Sequence, residues 1–157
     1  MADQTFSADI QGLRETAEKM EQTVRDLRGE PLLQGMRDAT LLVQGTARTL
    51  APVDTGRLRA SIMPEVRSDP LTGSITGVVG SNVDYAPYVE LGTKPHFPPL
   101  AALEVWAARH GTTARAVAMA IARRGTKAVK YLQNAVEQNE SKIVALIGDA
   151  VSKIVEQ

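Results

Sequence analysis

Apolar residues near the start of the chain recur in alternating steps of four and three: Phe6, Ile10, Leu13, Ala17, Met20, Val24 and Leu27. This is a heptad seam, with Asp9, Arg14, Glu15, Glu18, Lys19, Glu21 and Arg25 on the other faces, and it predicts a long amphipathic helix beginning near Ser7. Such a stripe ordinarily packs on the chain's own sheet or helices; the alternative is that part of it meets a neighbouring subunit. Gly29-Glu30-Pro31 interrupts the pattern, because proline disfavours helix in the residue before it. A second helix is expected from Pro31 to Leu50, with Leu32, Leu33, Met36, Ala39, Val43, Ala47 and Leu50 on one side.

Ala51-Pro52 stops that helix, and Val53-Asp54-Thr55-Gly56 has turn chemistry: short polar side chains can bond nearby N–H groups and glycine can take positive φ. The pattern turns extended from Leu58 to Val66, turns at Asp69–Gly73, and alternates like a strand from Ser74 to Ser81. After another turn at Asn82–Asp84, Tyr85–Leu91 is expected as a further strand. Lys94-Pro-His-Phe-Pro-Pro99 is a connector that proline keeps out of ordinary helix and central strand. Three helices follow: one with Leu100, Leu103, Val105 and Trp106 ending at His110-Gly111, one from Thr113 to Arg124 stopped by Gly125, and a last one over 127–155. Gly92-Thr93-Lys94 is echoed by Gly125-Thr126-Lys127, a match too short to establish a structural repeat.

The expected architecture is therefore one α+β domain over residues 1–157. A helical arm at 6–50 packs on a small antiparallel sheet of about three strands within 57–93. Helices at 95–124 and 127–155 complete the C-terminal side.

Composition narrows the function. The 157 residues suffice to bury a core, and 43% are hydrophobic but only 4% aromatic, so aliphatic side chains must build it. Lys+Arg and Asp+Glu balance at 18 each. A dedicated nucleic-acid binder usually shows a basic excess, while zero net charge leaves little self-repulsion to oppose association. The absence of cysteine excludes disulfides, thiolate metal sites and a cysteine nucleophile. No segment approaches a membrane-spanning run and the start lacks a basic-then-apolar leader, so the expected compartment is the cytoplasm in which the chain is made.

Two motifs carry the most information. Pro52-Val-Asp-Thr-Gly-Arg-Leu-Arg-Ala-Ser-Ile62, followed by Tyr85-Ala-Pro-Tyr-Val-Glu-Leu-Gly-Thr93, resembles the signature of the tail-component proteins of long-tailed, siphovirus-like bacteriophages. That family includes tail-completion and head–tail joining (neck) proteins. The residues that match its pattern are Pro52, Asp54, Thr55, Gly56, Leu58 and Ser61, then Tyr85, Ala86, Tyr88, Glu90, Gly92 and Thr93. A third family element, aromatic-Leu-x-x-Ala, is best placed at Tyr131–Ala135. Shorter members pass almost directly from Gly-Thr to that element, whereas here Pro95–Arg124 intervenes, as in a longer variant of the family.

The resemblance implies a structural virion protein without a reaction or a cofactor. It implies a homo-oligomeric ring, with sixfold symmetry the expected stoichiometry, at the neck or head-proximal end of the tail. Its partners would be further copies of itself, the head-connector protein, and the tail-tube or tail-terminator protein. The alternative within the same particle is a tail terminator or another minor tail protein.

The remaining residues support chemistry poorly. Asp54-Thr55-Gly56 lacks the Gly-x-x-x-x-Gly-Lys-[Ser/Thr] context of a phosphate loop and reads as a turn. Tyr88 and Glu90, on one face of the expected strand and opposite Tyr85 and Val89, lack the partner that acid–base work needs; Glu90 would serve an inter-subunit hydrogen bond or cap the Gly92-Thr93 turn. His96 and His110, fourteen apart and without a His-x-x-x-His pair, do not suggest zinc, and Trp106 reads as packing. Arg57, Arg59, Tyr88 and Glu90 are candidate subunit-interface residues. Arg115, Arg123, Arg124, Lys127 and Lys130 form either a solvated face or a lining for DNA passing through a ring, in contacts with phosphate that read no sequence. The same basic stretch, from Arg109 onward, is the sole support for a nucleic-acid-binding regulator.

Overall fold

A computed structural model describes residues 12, 14–22, 29–69 and 71–155. Of the N-terminal seam, Phe6, Ile10, Leu13, Val24 and Leu27 lie outside the described residues. Residues 14–22 are helical and exposed throughout; Met20 is 66% exposed. The described part of the seam is thus uncovered, contrary to the expectation that it packs on the chain's own elements.

Helix α1 is Glu30–Leu50. Pro31 sits in its first turn, where its missing N–H costs nothing. Glu30 at the start and Arg48 in the last turn complement the helix dipole. Ala39, Val43, Ala47 and, just past the end, Ala51 are buried at steps of four, the spacing of one helical face.

A one-turn helix, α2 (Arg57–Ser61), leads into strand β1 (Ile62–Ser68), which pairs with β2 (Ile75–Ser81) in a two-stranded antiparallel sheet. The turn between them is set by Asp69, whose carboxylate accepts the Leu71 N–H and the Thr72 hydroxyl, both at 2.8 Å. These donors, the Leu71 N–H first, hold the Asp69 carboxyl below its usual pKa.

The α+β class is as expected, but two segments differ. The extended run expected from Leu58 begins with a helical turn: Gly56, at φ 78°, offers its carbonyl to the Ala60 N–H at 2.9 Å. The strand expected at Tyr85–Leu91 is a helix, α3 (Ala86–Leu91). Pro87 falls in its first turn, where fixed φ suits a helix, whereas in a strand it would break the ladder. Among the described residues the sheet therefore has two strands.

Helices α4 (Ala101–Arg109) and α5 (Ala114–Arg124) follow as expected, with the Thr113 hydroxyl accepting the Ala116 N–H at the start of α5. The last helix, α6, is Tyr131–Val155. It starts later than Lys127, because residues 126–130 are drawn into backbone pairing with residues 89–93.

The chain divides into two compact units. One holds the described residues of 1–41, 65–78 and 140–157. In it Gly35 of α1 approaches α6 so closely that a Cβ there would lie 2.8 Å from the Ala150 Cβ. The other holds 42–64 and 79–139 and contains both motifs. Its core includes Ala47, Leu58, Ile62, Ala118, Tyr131 and Ala135. There the Ile62 carbonyl accepts from the Gln44 amide at 2.8 Å and the Arg48 guanidinium at 2.9 Å. The buried Asn139 amide donates to the Thr46 hydroxyl and the Ala135 carbonyl, each at 2.8 Å.

Candidate functional site

The first motif is a loop fastened at both ends. Asp54 pairs with Arg109 of α4 at 2.7 Å, so the carboxylate that sequence assigned to a local turn reaches into the 95–124 segment instead. The Thr55 hydroxyl accepts the Arg57 N–H at 3.4 Å. Leu58 is buried while Pro52 is exposed. The Ser61 hydroxyl lies 2.8 Å from the Leu58 carbonyl and 2.7 Å from the Ser81 hydroxyl, which also accepts the Val83 N–H. Ser61 thereby links the first motif to the approach of the second.

In the second motif Tyr85 stands at the N-terminal cap position of α3, Ala86 is buried, and Tyr88 is 61% exposed. Glu90 gathers three backbone donors. Its carbonyl accepts the Lys130 N–H at 3.1 Å, and its two carboxylate oxygens accept the N–H groups of Leu132 and Gln133 at 2.9 and 3.0 Å. Those two amides belong to the first turn of α6, which has no internal acceptor for them. A carboxylate there also meets the positive end of the helix dipole. Glu90 is therefore the remote cap of the C-terminal helix.

Gly92-Thr93 and Gly125-Thr126, the short echo in the sequence, lie face to face. Thr93 and Thr126 form an isolated antiparallel bridge, each N–H bonding the other's carbonyl at 3.1 and 3.2 Å, with their hydroxyls 3.0 Å apart. Gly92 (φ 71°, ψ −177°) and Gly125 (φ 70°, ψ −160°) adopt a conformation that is essentially glycine's alone. A Cβ at Gly125 would fall on the Thr93 carbonyl oxygen, and one at Gly92 would come within 2.5 Å of the Thr126 carbonyl. The bridge closes the 95–124 segment at its base. Three residues on, the Val129 N–H bonds the Val89 carbonyl at 3.0 Å.

Tyr131, the first residue of α6, is 1% exposed, and its hydroxyl has no hydrogen-bond partner among the described residues. Burial first, then the nearby Glu90 carboxylate and Tyr85, raises its phenol above the ordinary value of 10.0.

Arg57 is exposed, and Arg59 donates to the Ala51 carbonyl at 3.2 Å. Arg115, Arg123 and Arg124 on α5, and Lys127 and Lys130 after it, are all exposed. His96 bonds the Lys94 carbonyl through Nδ1, and His110 stacks on Trp106 with ring centroids 4.0 Å apart. Because α3 is a helix, the two-faced arrangement of Tyr88 and Glu90 against Tyr85 and Val89 does not exist. Among the described residues no three His, Asp or Glu side chains group to hold a metal ion, and no helix is long and apolar enough to cross a membrane. An apolar groove of about 820 Å³ opens beside α3 between the proline-rich connector and α5.

Sequence reasoning missed Arg109 as the partner of Asp54, and Gln44 and Arg48 as the donors to Ile62. The repeated Gly-Thr-Lys was the signal for the bridge.

No curated protein and no solved structure matches the chain. The profile of the family described as "Bacteriophage HK97-gp10, putative tail-component" matches residues 11–92. That span is more than half of the 157 residues and takes in the whole first motif and the second as far as Gly92. The chain belongs to this HK97-gp10-like family of bacteriophage tail components.

Proposed function

We propose that this tail component is a tail-completion or head–tail joining subunit. It assembles as a homo-oligomeric ring, sixfold in the expected form, at the neck or head-proximal end of the tail, and links the tail to the head connector. Its other neighbours are the tail-tube or tail-terminator protein. Its work is structural: the Glu90 carboxylate, the most promising acid–base group of the motifs, is spent on the first turn of α6.

The observation that carries the reading is how a member of a tail-component family distributes its apolar side chains. Eight of the fourteen buried apolar residues among those described are alanine, while Leu71 is 93% and Leu91 74% exposed. Tyr88 and Leu91 lie one helical turn apart on α3, both exposed. Single exposed apolar residues are ordinary; large ones left outside while small ones fill the core suit a surface completed by neighbours. The exposed Arg115, Arg123, Arg124, Lys127 and Lys130 would line the passage of DNA, binding phosphate without reading bases.

The test is complementation. Purified protein added to a lysate of a phage that lacks this gene product should restore infectivity by joining preformed heads and tails. Unchanged titre, with tails of uncontrolled length in the lysate, would replace the joining role by that of a tail terminator.

A further inference from the structure

We propose that the helix at 14–22 of one copy seats in the apolar groove beside α3 of the next copy, a head-to-tail contact that builds the ring. The inference rests on the ring reading above and names the surfaces that would make it.

The groove, about 820 Å³, is walled by Tyr88, Pro95, Pro98, Leu103, Ile121 and Val129, with Lys94 and Lys127 on its lining. Both lysines and Tyr88 are exposed. Tyr88, Pro95, Pro98 and Pro99 make much of the wall stiff, and a volume of this size takes several side chains at once. The helix at 14–22 offers what would enter it. All its described residues are exposed, and Ala17 and Met20 stand at successive seam positions. Methionine is an unbranched, adaptable side chain suited to an irregular apolar recess. The heptad spacing puts Leu13 and Val24 at the flanking seam positions of the sequence.

Charge selects this pairing over others. The zero net charge of the chain conceals segregation. Residues 14–22 carry Glu15, Glu18 and Glu21 against Arg14 and Lys19, a net negative charge. Between Gly92 and Tyr131 there are seven basic residues and one acidic residue, Glu104. An acidic amphipathic helix and a basic-rimmed apolar groove are complementary, and opposite charge at a rim steers association and fixes orientation. Two different surfaces make a heterologous contact, which generates a closed ring when its rotation closes.

Two full-length variants and their mixture test this by sedimentation. Ala17→Glu with Met20→Glu spoils the helix, and Tyr88→Glu with Lys94→Glu and Lys127→Glu spoils the groove; every changed residue is exposed, and circular dichroism checks that each variant folds. The wild-type chain should assemble with concentration, and each variant should be weaker by about tenfold or more, a loss of roughly 1.4 kcal/mol. An equimolar mixture should give a one-to-one heterodimer and nothing larger, since only one intact helix and one intact groove remain. Pairing of seams with each other would instead leave the groove variant associated and overturn the proposal. So would a mixture that stays monomeric, or a wild-type chain monomeric at every concentration. A groove variant that cannot assemble yet restores infectivity in the lysate would remove this contact and keep the joining role. An assembly that depends on both surfaces while phage lacking the protein are fully joined would do the reverse.

Discussion

The hydroxyls of Thr93 and Thr126 lie 3.0 Å apart across 33 residues of sequence, at the centre of a two-residue bridge whose flanking glycines share one backbone conformation. The bridge holds together the end of the second motif and the start of the approach to α6. Substituting Gly125 by alanine combines a glycine-only conformation with a Cβ placed on the Thr93 carbonyl oxygen. The expected loss is about 3 kcal/mol or more, read from urea denaturation midpoints. Gly111, also at positive φ but with nothing within 4 Å of a Cβ, should cost only about 1 kcal/mol on the same change.

Glu90→Ala should destabilise by about 1–2 kcal/mol, the range of a lost helix cap together with its charge at the dipole. The amides of Leu132 and Gln133, which its carboxylate holds, should lose protection from hydrogen exchange more than amides in the middle of α6. Glu90→Gln keeps an acceptor and should fall between. Unchanged exchange at these two amides would mean that Glu90 is not the cap.

Tyr131 makes a pH prediction of definite sign. Its phenol is raised in the folded protein, so the folded state resists ionisation; stability is fully present below about pH 10 and declines as pH rises through the folded value. Tyr131→Phe should remove that alkaline loss. Because the hydroxyl is buried without a hydrogen-bond partner among the described residues, the same change at neutral pH should be neutral or stabilising by up to about 1 kcal/mol.

The Asp54–Arg109 pair is partly exposed, at 35% and 44% for the two side chains. A double-mutant cycle with Asp54→Ala and Arg109→Ala should therefore give a coupling of roughly 0.5 kcal/mol that shrinks in high salt. Larger coupling would mean that the ion pair organises the loop rather than decorating it.

Much of this was legible in the sequence for identifiable reasons. α1, α4 and α5 announced themselves through apolar spacing and through Pro31, Thr113, Gly111 and Gly125 at their ends. Tyr85–Leu91 reads as a strand because its tyrosines and valine favour strands, whereas Pro87 fits the first turn of a helix and would break a ladder. The cap by Glu90 and the ion pair of Asp54 were not legible, since each joins residues more than forty positions apart and neither partner carries a local mark. The Gly-Thr echo lay between these cases: visible as a repeat, but meaningful only once the chain brings both copies together.

Removing Pro95–Arg124 and rejoining the flanks should leave a folded protein, because the bridge already brings the ends of that segment side by side. Such a deletion should retain the circular dichroism of the remaining helices and sheet while failing to restore joining in the lysate. A variant that unfolds would show that α4 and α5 are indispensable to the core of their unit.

The most direct test of the joining role is an electron micrograph of particles from a phage carrying a stop codon in this gene. The role predicts DNA-filled heads beside separate tails of normal length. Joined, infectious particles made without the protein would contradict it.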